Sequence, residues 1–231
     1  MNCARLRESF IVNTVFQEHP ELCTGNLVVT RKITAALEHL YTTSQQCPAR
    51  RAHRDMWPLS RASIPHLEVI FGKICDHCPA LRGMIIANES PQTVISRKTR
   101  VVAAAGQVHR DTYSNDDGFY TVIVAVTPVT TSNGSVQLWP TADKSARWNK
   151  NIQRTFLKGH EQWTWTGDRG AYLVFDSRTW HRAGRARHCD WDGTARIVLQ
   201  FMVHPPDYEL TYTDIIVDGH VERSIGSAIT Q

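Results

Sequence analysis

The sequence predicts an α+β protein, with a helical first section followed by a mainly antiparallel β core. Three observations lead there. Apolar residues before about position 84 recur at helical spacing, those after it alternate with a period of two, and the later runs are separated by short turn-forming clusters. Many short strands joined by turns build a sandwich or a barrel. At 231 residues and 42% hydrophobic content the chain can bury one substantial core. The reading is therefore a single domain over 1–231, divided into a mainly helical N-terminal region (residues 1–83), a β-barrel core (84–204) and a C-terminal extension (205–231).

Taken in order, Thr30 is placed to cap a helix carrying Ile33, Leu37, Leu40 and Tyr41 on one side. Ser63 and Pro65 open a second helix, whose Leu67, Ile70, Phe71, Ile74, Cys75 and Cys78 share a face. The first hundred residues thus read largely as helix. Between the two helices, TTSQQCPARRAHRDMWP is polar and irregular, a loop. From Met84 the runs MIIAN, TRVVAAAGQVH, FYTVIVAVT, SVQLWP, AYLVFD and RIVLQFMV read as strands, and SNDDG, TTSNG, TGDRG and DWDG as turns. The tail after Pro206 is polar apart from an apolar patch at 215–217.

Composition narrows the function classes. No apolar stretch approaches the roughly 18 residues of a membrane span, and MNCARLRESFIVNTVF lacks the apolar core and cleavage site of a secretion signal. A soluble, cytoplasmic protein is expected. The net charge of +4 neither demands nor excludes nucleic acid. Four arginines without an acid in RTWHRAGRAR mark either a solvated face or an anion site close to His181. Six scattered cysteines read as free thiols in a reducing compartment. Cys75-Asp76-His77-Cys78 has zinc-like spacing but no second ligand pair, so its thiols are assigned to the buried helix face.

The chemistry concentrates in GQVHRDTY. Side chains two apart on a strand point the same way, so a strand end here sets Gln107, His109 and Asp111 on one face and Val108 and Arg110 on the other. An imidazole and a carboxylate so placed can fill adjacent corners of a metal's coordination sphere. His181, a short turn after AYLVFD, is the third candidate ligand. Two histidines and one carboxylate with open positions is the arrangement of non-haem Fe(II) oxygenases, whereas a structural zinc site is closed by four ligands. Arg196 leads a strand whose other face, Ile197, Leu199, Phe201 and Val203, is wholly apolar. It therefore points inward and requires an anionic partner, a bound carboxylate or an internal Asp or Glu.

The ordered set Gln107-x-His109-x-Asp111, then Asn133-Gly134 ahead of Trp139-Pro140, then Gly167-Asp168 before AYLVFDSRTWH, then Arg196 opening a strand, resembles the phytanoyl-CoA dioxygenase family of Fe(II)/2-oxoglutarate oxygenases. The HxD pair alone is a weak signal, since His53-Arg54-Asp55 repeats it in a polar loop. The resemblance spans roughly 100–203. It implies a double-stranded β-helix, the jelly-roll or cupin-like barrel, with the N-terminal helices packed on one sheet. It implies iron on His109, Asp111 and His181, and 2-oxoglutarate held through Arg196 with a contribution from Gln107. By their place in the chain, Tyr113 and Asn115 just past Asp111 and Trp180 beside His181 are candidate substrate-pocket residues. The implied reaction oxidises a small organic molecule, by hydroxylation or desaturation, and releases succinate and CO2, with ascorbate keeping iron reduced. Asp111 stands where a halogenase of this type would free the position for halide.

Two departures stand out. Thr141-Ala142-Asp143 follows the proline where the family often has Gly-Ser-His, and the interval from His181 to Arg196 is longer than usual. The chain is short for the family, which implies a reduced lid or a partner subunit in a homo- or hetero-dimer. Neither membrane nor nucleic acid is an expected partner. An AlkB-type nucleic-acid demethylase shares the triad but usually carries a second arginine where Met202 stands. A silent barrel serving as a binding subunit need not keep all four of His109, Asp111, His181 and Arg196, and a cupin-like isomerase would not require Arg196. The tryptophans at 139, 163, 165 and 180 are read mainly as core, and His66, His160, His188 and His204 lie outside the site.

Overall fold

A computed structural model describes residues 22–27, 30–44, 55–59, 61–87, 94–98, 108–112, 118–144, 159–184, 195–208, 210–217 and 220–227. Both expected helices form. In α1, Arg31–Ser44, the Thr30 hydroxyl accepts the Ile33 amide at 3.3 Å, which caps the first turn. Its Ile33, Ala36, Leu37 and Leu40 are buried, as are Leu67, Ile70, Phe71 and Ile74 of α2, Ile64–His77. Each fully buried Leu or Ile contributes about 1.5–3 kcal/mol by leaving water. Ser63 does not cap α2. Its own backbone is already helical, with φ −81° and ψ −15°, and a 3₁₀ turn over Arg61–Ser63 precedes the helix, so its hydroxyl lies outside capping geometry.

The expectation of a largely helical first hundred residues is corrected by β1 Leu22–Asn26, β2 Asp55–Pro58 and, after the expected strand β3 Ile85–Ile86 within MIIAN, β4 Val94–Lys98. They are too short for a readable period, and Gly25 and Pro58 argue locally against strands. Tertiary pairing overrides that preference, and β1 and β2 lie at the sheet edges, where a proline is tolerated. Gly25 is required by close packing, since a Cβ there would lie 2.5 Å from the Tyr172 hydroxyl.

The later strands are β5 Tyr120–Ala125, β6 Val136–Trp139, β7 Trp163–Trp165, β8 Ala171–Asp176, β9 Trp180–Ala183 and β10 Arg196–His204. Three of the turns expected between them hold a left-handed glycine at Gly118, Gly134 or Gly170. A major sheet runs β1-β8-β5-β10-β4-β2, with β3 also on β10, and a minor sheet runs β7-β6-β9. Pairings throughout are antiparallel. In the polar tail, β11 Leu210–Val217 and β12 His220–Ser227 form a separate hairpin that the sequence pattern does not announce. Among the described residues no helix is long and apolar enough to cross a membrane.

Two cores divide the molecule. On one face of the major sheet, Val122, Val124, Tyr172, Val174, Ile197, Leu199, Phe201 and Val203 pack against both helices. On the other, Ile123, Ala125, Leu173, Phe175 and Val198 meet Val136, Leu138 and Trp165 of the minor sheet. The alternation read in RIVLQFMV is this division: its odd-numbered residues serve the helix side, and Arg196, Val198 and Gln200 turn inward between the sheets. The structure thus has helices on one sheet and two sheets enclosing the second core, and the N-terminal region supplies edge strands β1 and β2 at the two ends of the major sheet.

Candidate metal centre

Residues 108–112 form no regular strand, yet His109 and His181 pair as an isolated antiparallel bridge. Each donates its amide to the other's carbonyl at 2.9 Å. Residues directly opposed across such a pair project to one face, which brings the imidazole centroids to 4.4 Å. His181 lies within β9, a short turn after β8 as expected, and its other neighbour across the sheet is Leu138 of β6. Asp111, two residues after His109, turns the same way, and the amides of Asp111 and Thr112 are both tied to the Ser177 carbonyl, at 2.9 and 3.2 Å.

The three side chains converge. The nearest Nε2 to carboxylate-oxygen distances are 3.7 Å from His109 to Oδ1 of Asp111 and 3.5 Å from His181 to Oδ2. One ligand atom from each residue fits within 4.8 Å of the others, and among the described residues this is the one cluster of metal-ligand type. His181 Nδ1 lies 2.9 Å from the Thr179 carbonyl, which can only accept, so Nδ1 carries the proton and Nε2 presents its lone pair to the cluster.

Asp111 is 1% exposed. Its Oδ2 accepts from the Thr121 hydroxyl at 2.7 Å and, at a long 3.4 Å, from the Gln200 side-chain amide. Oδ1 is buried without a hydrogen-bond partner. A carboxylate oxygen in that condition is costly unless a cation meets it. The donor set, two imidazole nitrogens and one carboxylate oxygen, suits a divalent transition metal with open positions. The residues therefore fit a metal ion. His109 is the accessible member, its side chain 35% exposed against 0% for that of Asp111 and 5% for His181, so the cluster opens to solvent beside His109.

Arg196 is 5% exposed at the start of β10, on the inward face it shares with Gln200. Four residues of strand separate the two, about 13 Å along the chain. Val108 and Arg110 turn away from the triad, as expected from strand alternation. Val108 packs with Trp139, Ala142 and Trp180, and the Arg110 guanidinium lies 4.8 Å over the Trp180 ring and donates to the Lys144 carbonyl. Trp180, proposed from sequence as a pocket residue, is 1% exposed and donates Nε1 to the Asp143 carbonyl at 2.9 Å. Its strand position opposes it to His181, so it buttresses the back of the site. Trp139 and Trp165 are buried as expected.

Gln107, Tyr113, Asn115 and His188 lie outside the described residues. Of the basic stretch, Arg178 binds Asp176 at 2.7 Å and Arg182 donates to Gln137 at 2.7 Å while lying 5.3 Å over Trp139. These two are internal partners rather than an anion site. Burial would raise Asp176, but hydrogen bonds from Arg178, with Lys144 at 3.1 Å, hold it below the usual carboxylate range. The thiol of Cys78 is buried, while Cys75 is half-buried and contacts the Leu81 carbonyl at 3.7 Å.

Thr121, Ser177 and Gln200 carry only a faint signal in the sequence. Thr121 is one hydroxyl in the apolar run FYTVIVAVT and Gln200 one amide in RIVLQFMV, both on the inward face of a strand, and neither is a site residue by sequence alone.

No protein-family model and no curated protein matches the chain. Solved structures do. SnoK, the non-haem α-ketoglutarate-dependent carbocyclase from nogalamycin biosynthesis, is 12% identical, with a TM-score of 0.59 over 85% of this chain and 84% of its own. SnoN, the non-haem α-ketoglutarate-dependent epimerase from the same biosynthesis, is 14% identical, with a TM-score of 0.62 over 88% and 82%. HygX from Streptomyces hygroscopicus, solved with nickel and 2-oxoglutarate bound, is 11% identical, with a TM-score of 0.62 over 93% and 96%. The chain has the fold of these non-haem 2-oxoglutarate enzymes. At such identities the likeness concerns the fold, and the chemistry must be argued from the residues. SnoN has also been solved with Fe3+, α-ketoglutarate and nogalamycin RO, so metal and co-substrate are attested on this architecture.

Proposed function

We propose that this protein is a non-haem Fe(II)/2-oxoglutarate-dependent oxygenase of the phytanoyl-CoA dioxygenase type, with a double-stranded β-helix core, that hydroxylates or otherwise oxidises a small organic molecule. The observation that carries the reading is the His109–Asp111–His181 cluster, with the buried, partnerless Oδ1 of Asp111 at its centre.

When bound, iron and 2-oxoglutarate supply dioxygen activation coupled to decarboxylation of the co-substrate, which yields succinate and CO2. The chain's own residues do the rest. His109 and His181 offer ring nitrogens, and the Thr179 carbonyl holds His181 in the ligating tautomer. Asp111 contributes charge and keeps the third protein position filled. Arg196 presents a fork that suits the far carboxylate of 2-oxoglutarate in bidentate geometry, and Gln107 is assigned a contribution to the same co-substrate. The tryptophan-backed cluster behind His109 excludes water from one side. Tyr113 and Asn115 are assigned to the substrate side, and ascorbate is expected to maintain ferrous iron. SnoK and SnoN are named for ring closure and epimerisation. The same fold therefore serves more than one reaction, and the substrate class assigned to this chain is small molecules.

Calorimetric titration of 2-oxoglutarate into protein loaded with Ni(II) tests the assignment. Saturable, metal-dependent binding that Arg196→Ala abolishes is expected. Failure of folded, metal-loaded wild type to bind would remove the co-substrate from the account.

A further inference from the structure

The two oxygens of Asp111 are not equivalent, and the difference originates in the major sheet. Thr121, on the inward face of β5, is 0% exposed, and its hydroxyl sits 2.7 Å from Oδ2 of Asp111 and 2.9 Å from the Ser177 hydroxyl. A hydroxyl has one proton, and a carboxylate only accepts. Thr121 therefore donates to Asp111, and Ser177 must donate to Thr121. Ser177 is likewise 0% exposed, and its carbonyl holds the Asp111 and Thr112 amides. Gln200 adds its long contact to the same Oδ2. One oxygen is thus committed to the protein, and the other is left without a partner.

We propose that Thr121 is a positioning residue: with Ser177 behind it, it commits Oδ2 of Asp111 to the protein so that Oδ1 alone ligates the metal. This rests on the metal reading of the site. The consequence is single-oxygen coordination, which leaves an adjacent position open that a carboxylate swung to bind through both oxygens would occupy. A ligand pair bridged at β9 of the minor sheet and a hydrogen-bond relay anchored on Thr121 of the major sheet are joined through one carboxylate.

The test titrates Mn(II) into wild type and into Thr121→Val, Thr121→Ser and Ser177→Ala, following the free-ion electron paramagnetic resonance signal. It then compares the visible charge-transfer band of the anaerobic Fe(II)/2-oxoglutarate complexes. Thr121→Val is expected to bind Mn(II) about ten- to a hundredfold more weakly, as loss of a ligand's supporting hydrogen bond does. Thr121→Ser restores wild-type affinity, and Ser177→Ala weakens binding about fivefold. The band shifts in Thr121→Val and returns in Thr121→Ser, which a merely structural role would not produce. Wild-type Mn(II) affinity and an unshifted band in folded Thr121→Val would overturn the proposal. Should Thr121→Val fail to fold in chelator, unchanged Mn(II) affinity in Ser177→Ala would overturn it equally. If wild type itself binds neither Mn(II) nor Fe(II), the metal reading fails, and not the positioning alone.

Discussion

Asp111→Asn should make the metal-free protein more stable while depriving it of its metal. The carboxylate is 1% exposed, and its Oδ1 has no hydrogen-bond partner. Leaving a buried polar atom unsatisfied costs about 1–3 kcal/mol, more for a charged one. In the asparagine variant the amide oxygen can keep the Thr121 hydrogen bond at the Oδ2 position. The amide nitrogen then takes the place of Oδ1, 3.7 Å from His109 Nε2 and beyond hydrogen-bond reach, so what is removed is the buried charge. Recovering about 1–3 kcal/mol corresponds to roughly 2–12 °C in Tm for a chain of this size, at about 2–4 °C per kcal/mol. With metal the gap closes or reverses. At a hundredfold excess over Kd, binding stabilises wild type by about 2.7 kcal/mol. The assay is thermal unfolding at pH 8, where an ordinary imidazole is neutral, in chelator and in Mn(II). A variant that melts below wild type in chelator, or that gains as much as wild type from Mn(II), would refute the reasoning.

Three further outcomes are expected. Arg196→Lys keeps the charge but loses the fork, so affinity for 2-oxoglutarate should fall roughly tenfold while turnover at saturation persists, which steady-state kinetics would show. Trp180→Ala should destabilise by about 3–5 kcal/mol, because the ring is fully buried beneath Arg110 and beside Trp139; denaturant melts that match wild type would return it to the substrate pocket. His204 is 3% exposed and stacks on Phe119, and burial lowers its pKa below the ordinary 6.5. The unfolded chain then binds a proton that the folded chain refuses, so this group leaves stability intact above about pH 6.5 and erodes it as pH falls below. Replacing His204 with Gln should flatten denaturation midpoints between pH 8 and 5.5, and an unchanged slope would contradict the assignment.

Much of this site is written in local sequence, because the signals that build it are local. The period-two alternation of RIVLQFMV places Arg196 inward and Leu199 and Phe201 under the helices, and the structure shows that division. The x-His-x-Asp spacing sets His109 and Asp111 on one side even though no regular strand forms there, since residues two apart in extended backbone share a direction whether or not a ladder continues. What sequence could not reveal is long-range. β1 and β2 are short, carry Gly25 and Pro58, and exist because the edges of the major sheet accept them. Thr121 lies 10 positions from Asp111, Ser177 lies 56 from Thr121 and Gln200 lies 89 from Asp111, so only the closed fold joins them. Ser63 fails as a cap because a preceding 3₁₀ turn has already begun the helix.

The central claim is that His109, Asp111 and His181 hold an iron that 2-oxoglutarate chelates. The most direct measurement is anaerobic titration of the purified chain with Fe(II) and then 2-oxoglutarate, watched for the visible charge-transfer band of the chelated metal. The account predicts that the band appears in wild type and is lost in His181→Ala with the fold retained. A band that persists in His181→Ala, or none in folded, iron-loaded wild type, would contradict it.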